Sequence, residues 1–99
     1  MARYDLYRAS DDDDYLLDVQ ANLVGVLNTR VVVPVLRPHV APFPARRLNP
    51  VFEIDTQKYV MVTQFLSAVA ASELGEAKGN LRQHHDQIVS ALDMLFQGF

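Results

Sequence analysis

Between Thr29 and Leu36 the chain sets Val31, Val32, Val33 and Val35 almost side by side. Branching at Cβ restricts rotamers in a helical turn and suits a pleated surface, so this segment is expected to be a strand. Pro34 within it has no N–H to donate and points to an edge or bulge position. A strand this apolar has to be covered, and the rest of the chain must supply the cover.

The first two thirds supply further strands, because short β-branched and aromatic runs alternate with turn chemistry. Tyr4 to Tyr7 and Tyr15 to Gln20 read as two, with the polar Ala9 to Asp14 as the hairpin tip. Val51 to Ile54 and Lys58 to Thr63 read as a second hairpin around Asp55, Thr56 and Gln57. From Arg37 to Pro50, the residues Pro38, Pro42, Pro44 and Pro50 remove backbone donors, so this is an extended irregular loop. Gln64 to Leu74 is ambiguous: its Ala and Leu content favours helix, and its hairpin context favours strand.

The last segment reads as a helix. Leu81, Ile88, Leu92 and Leu95 fall on one face, with Val89 and Phe96 widening the stripe. Asn80 with Gln83 forms a capping-box-like pair, and Gly98 suits a left-handed stop. Strands followed by one long helix imply a helix packed on a sheet, in a single domain spanning residues 1–99.

Composition narrows function by exclusion. A domain of this length buries only about 60 to 68% of its unfolded surface, so pairing into a homodimer is expected. The net charge of −3 argues against non-specific nucleic-acid binding. With no cysteine, disulfides and thiolate chemistry are excluded. Met1 to Tyr7 lacks the apolar core of a signal peptide, and a cytoplasmic location is expected.

Few residues suggest chemistry. His84, His85 and Asp86 are consecutive, so on a helix they point about 100° apart and cannot share a ligand; they read as a solvated face. His39 stands alone in the Pro-rich loop and reads as surface. The run Asp11, Asp12, Asp13 and Asp14 lacks the alternation and glycine of a calcium loop and reads as a solvated tip. Arg37, Arg46 and Arg47 make a complementary basic loop, fit for carboxylates or phosphates. Catalytic residues, cofactor and metal are all expected to be absent. The tail is unusual, with Phe96 and Phe99 close together: core residues, or an anchor for a partner.

Asp18-Val19-Gln20 followed by Leu23-Val24, then Arg30-Val31-Val32-Val33-Pro34, then Asn49-Pro50-Val51-Phe52, and finally the run from Ala91 to Phe99 together resemble the CcdB toxins of CcdA/CcdB toxin–antitoxin systems. The similarity runs almost end to end. It implies a mainly β SH3-like barrel, a twisted antiparallel sheet with a smaller sheet beside it, closed by a C-terminal helix, and it resolves Gln64 to Leu74 towards strand. It also implies a homodimer that binds the DNA gyrase A subunit, traps the cleaved-DNA complex, and with a CcdA-like antitoxin represses its own operon. The gyrase-contacting positions it implies are Leu23, Val24, Asp93, Phe96, Gln97, Gly98 and Phe99.

Well-studied members of that family carry tryptophan where Gln97 stands and commonly isoleucine where Phe99 stands, and Gln97 offers no aromatic face for a cation. The acidic tip lies in a loop that contributes to antitoxin contact in relatives. Asp11, Asp12, Asp13, Asp14, Arg37, Arg46 and Arg47 are accordingly expected to flank an antitoxin groove. The same fold hosts ribonucleases, so an mRNA endoribonuclease using Arg46 or Arg47 with Asp55 is the enzymatic alternative. A weakened relative that keeps only antitoxin binding is the other.

Overall fold

The computed structural model describes residues 1–10, 13–22 and 26–98. Among these residues, strands β1 (Asp5–Arg8), β2 (Tyr15–Asp18), β3 (Thr29–Leu36), β4 (Val51–Ile54), β5 (Gln57–Met61), β6 (Ser67–Ala70) and β7 (Gly79–Asn80) precede one α-helix, α1 (His85–Gln97). All pairings are antiparallel, and the path runs β4-β5-β3-β2-β1-β7 with β6 added to β3. The product is a curled half-barrel closed by the C-terminal helix, the mainly β architecture expected.

The valine-rich strand is the hub. One edge of β3 pairs with β2, from Tyr15 opposite Val35 to Asp18 opposite Val32. Its other edge is divided: Thr29 to Val32 pair with β6, whereas Val35 and Leu36 pair with β5. Pro34 therefore lies in a central strand rather than at an edge, between the segments where the partner changes. Its carbonyl accepts from the Val62 N–H at 2.9 Å. In an antiparallel strand N and O of one residue face the same side, so the missing donor points at this gap in the ladder. The smaller sheet is the β4–β5 hairpin, hydrogen-bonded to the end of β3 as part of one continuous sheet.

Alternation along the strands covers both faces. Leu6, Tyr15, Leu17, Val33, Val35, Phe52 and Met61 form the main core with Ile88 and Ala91 of α1. Tyr7, Val32 and Leu74 form a smaller core on the opposite face, with Leu16 and Val69 against it. The segment with conflicting propensities resolves into pieces: 3₁₀ turns at Thr63–Phe65 and Ala71–Glu73 bracket β6.

Local details differ from expectation for identifiable reasons. Strand β1 starts after Tyr4, whose φ of 73° is left-handed. Strand β2 stops at Asp18, where the Gln20 side chain takes over as acceptor for the Val31 N–H at 3.0 Å. The second hairpin turns on two residues, Asp55 (φ 50°) and Thr56 (φ 68°), so Gln57 already belongs to β5. The helix begins at His85 rather than just after Asn80, because Arg82–His84 is a 3₁₀ turn. Asn80 sits in β7 and its Oδ1 accepts from the Arg82 N–H at 2.8 Å, capping that turn; Gln83 approaches His84 instead of closing a capping box.

Candidate functional site

The C-terminal end of α1 gathers four of the positions singled out above. Gly98 adopts φ 79°, and its N–H donates to the Met94 carbonyl at 3.0 Å, the left-handed stop read from the sequence. Phe96 does not widen the core stripe: it is 69% exposed, because helical rotation carries it past the face held by Ile88 and Ala91. Gln97 Nε2 donates to Asp93 Oδ1 at 3.3 Å, and Asp93 is half-buried. Leu23, Val24 and Phe99, the other positions implied for gyrase contact, lie outside the described residues, as do Asp11 and Asp12.

The base of the connection that carries Leu23 and Val24 is built from buried polar groups. Arg30 Nε donates to Asp18 Oδ2 at 2.7 Å, and the Gln20 N–H donates to Asp18 Oδ1 at 3.0 Å. The Val19 N–H donates to the Val31 carbonyl, and the Arg3 N–H donates to Asn22 Oδ1. The start of this connection is thereby tied to β3 and, through Asn22, to Arg3 ahead of β1.

Arg37 of the basic loop meets the described part of the acidic tip, Asp13 and Asp14. Asp14 is buried rather than solvated, and its Oδ1 accepts from the Arg37 N–H at 2.9 Å and from Arg37 Nε at 3.2 Å. Asp13 accepts from Arg37 at 2.9 Å. Arg37 thus pairs with both described aspartates of the tip. Arg47 is placed differently: its Nε donates to Ser90 Oγ on α1 at 2.7 Å.

Between the Pro-rich loop and α1 lies a cleft of about 470 Å³, lined by Arg46, Arg47, Pro50, Asp86, Gln87 and Ser90, with Asn49 at its base. Asn49 is buried, and its Nδ2 donates to the Met61 carbonyl and to Gln64 Oε1, while its Oδ1 accepts from the Ala45 N–H. Asp86, Ser90, Asp93 and Gln97 are spaced by four, three and four, so one helical face joins this cleft to the exposed end. Sequence reasoning passed over that polar stripe, which is the complement of the apolar one and was legible at the same periodicity.

The histidines serve the fold. His85 Nδ1 and the Tyr4 hydroxyl are hydrogen-bonded at 2.5 Å, and the His84 ring packs on Phe52 with centroids 4.6 Å apart. His85 and Asp86 are exposed and His84 half-buried, in keeping with a solvated face, and the two rings also fasten the start of the helix to Tyr4, just before β1, and to Phe52 of β4. Burial raises the Tyr4 pKa, with Arg3 opposing. His39 is exposed, as expected. Asp55 occupies the β4–β5 turn and, among the described residues, forms no ion pair with Arg46 or Arg47. Among the described residues no three acidic or histidine side chains gather where they could hold a metal ion. No helix there is long and apolar enough to cross a membrane. A family model described as CcdB protein matches residues 3–98, nearly the whole chain.

Proposed function

The chain belongs to the CcdB family, toxins of toxin–antitoxin systems that target DNA gyrase, and from that premise we propose that it is a cytoplasmic gyrase poison acting by binding alone. In this reading a homodimer presents two helix ends to the two-fold gyrase A dimer. Asp93, Phe96, Gln97, Gly98 and Phe99 contact the gyrase A subunit, with Leu23 and Val24 as an apolar floor, and the cleaved-DNA complex is trapped.

The observation that carries the reading is Phe96, 69% exposed at the end of a helix whose preceding turns are anchored by Ile88 and Ala91. A large apolar ring left in water on a rigid element adds little to folding and is available for docking. A CcdA-like antitoxin with a disordered tail is the second partner, received at Asp11 to Asp14 and at Arg37, Arg46 and Arg47, and the toxin–antitoxin complex represses its own operon. The electrostatics favour capture of such a tail by charge.

The test is incubation of the purified protein with gyrase and supercoiled plasmid, scoring linear DNA after denaturation, beside an RNA-cleavage control. Linear DNA dependent on gyrase is expected. RNA cut without gyrase would replace this reading by the endoribonuclease. Deleting Gln97 to Phe99 is expected to abolish poisoning while circular dichroism and antitoxin titration are unchanged.

A further inference from the structure

We propose that the cleft between the Pro-rich loop and α1 is a receptor for an extended peptide that carries an acidic and a basic side chain close together. This deepens the antitoxin reading of Arg46 and Arg47 and rests on it.

The walls are preorganised. Asn49 ties the loop to β5 and to Gln64, the Leu48 carbonyl accepts from the Thr63 hydroxyl at 2.5 Å, and Arg47 holds the loop to α1 through Ser90. Pro50 further stiffens the loop wall. Little ordering would therefore be needed when a ligand arrives. The volume of about 470 Å³ falls in the range of small-ligand and short-peptide sites.

The polar groups left over give the ligand its chemistry. Among the described residues the side chains of Arg46 and Asp86 have no hydrogen bond or ion pair, although both line the cleft. Arg46 belongs to the loop wall and Asp86 to the helix wall, at the first turn of α1. A carboxylate of the ligand would face the guanidinium, and an ammonium or guanidinium would face Asp86. A nucleotide or polyphosphate fits poorly, because its charge would meet the Asp86 carboxylate and a protein of net charge −3. A disordered tail of mixed charge fits both walls.

The experiment uses fluorescein-labelled decapeptides in a Gly-Ser background, with one Glu and one Lys separated by a single residue, two Glu, or two Lys. Binding to the full chain is followed by polarisation, and the site by amide NMR shifts of Asn49, Gln87 and Ser90. The mixed peptide is expected to bind and to shift those amides, and Arg46→Glu or Asp86→Lys to weaken it by about tenfold. The double swap Arg46→Glu with Asp86→Lys is expected to restore binding, since the peptide can reverse its direction. Circular dichroism checks that each variant folds.

The proposal is overturned if no cleft amide shifts up to about 1 mM peptide. Equal binding of the two-Glu peptide, indifferent to Asp86→Lys, would also overturn it, leaving a general anion surface. Competition by ATP at the same amides would assign the cleft to nucleotides instead. Failure here with antitoxin binding intact and still sensitive to Arg46 and Arg47 would leave the broader reading standing. Loss of that sensitivity would remove the broader reading itself.

Discussion

Arg30 Nε donates to Asp18 Oδ2 over 2.7 Å and Nη2 lies 2.7 Å from the same oxygen, with both side chains wholly shielded from water, while buried Nη1 makes no hydrogen bond. A buried pair so incompletely satisfied recovers little of its desolvation cost, so it contributes more to fixing strand register at the loop base than to net stability. Removing one partner is another matter, because the remaining charge stays buried alone. Asp18→Leu is expected to cost about 3 to 5 kcal/mol in urea unfolding, whereas Asp18→Leu combined with Arg30→Met is expected to return to within about 1 kcal/mol of the starting protein or exceed it. A double variant as unstable as the single one would show that the pair stabilises the fold outright.

The turn between β4 and β5 offers a gain. Thr56 is β-branched and held at φ 68°, a conformation natural to glycine, after Asp55 at φ 50°. Thr56→Gly creates the Asp-Gly pair favoured in such two-residue hairpins and is expected to stabilise by about 1 kcal/mol. The measurement is the urea midpoint at fixed protein concentration. A lower midpoint would mean that the Thr56 hydroxyl bond to the Asp55 carbonyl outweighs the backbone strain.

Stability is expected to fall in alkali. Burial raises the pKa of Tyr4, Tyr7 and Tyr59 above the ordinary 10.0, with neighbouring arginines opposing the shift. The folded state then keeps these protons after the unfolded chain has released them. Stability is therefore full below pH 10.0 and declines as pH rises through the raised native values. Tyr59→Phe preserves the ring that packs edge-on against Tyr15 and is expected to flatten that decline without changing the melting temperature at neutral pH. An unchanged alkaline slope would place the effect elsewhere.

The elements legible in the sequence were those whose signal is local. Valine density located β3 with its bounds, and Gly98 marked the helix stop at its left-handed φ. The division of one β3 edge between β5 and β6 was not legible, because it depends on which distant strands arrive and Pro34 only marks where the ladder is interrupted. The helix start was misplaced since Asn80 caps a 3₁₀ turn as readily as an α-helix. Arg37 could not be separated from Arg46 and Arg47 by composition. Only the fold brings it to Asp13 and Asp14 and leaves the other two beside α1.

Phe96 and Ile88 share one helix and should separate folding from toxicity. Ile88 is fully buried, so Ile88→Ala is expected to cost about 2 to 5 kcal/mol of stability. Phe96 is 69% exposed, so Phe96→Ala is expected to leave stability within about 0.5 kcal/mol. If the helix end docks on gyrase, the same change removes an anchor worth about 1.5 to 3 kcal/mol, a ten- to hundredfold loss in affinity per site. Gln97→Trp should act in the opposite direction, supplying the aromatic face that the amide lacks, with the Asp93 bond given up in exchange. Both variants are to be compared in the gyrase cleavage assay across a range of toxin concentrations, with thermal melts alongside. Poisoning indifferent to Phe96→Ala and to Gln97→Trp, at unchanged stability, would move the gyrase contact away from the end of α1.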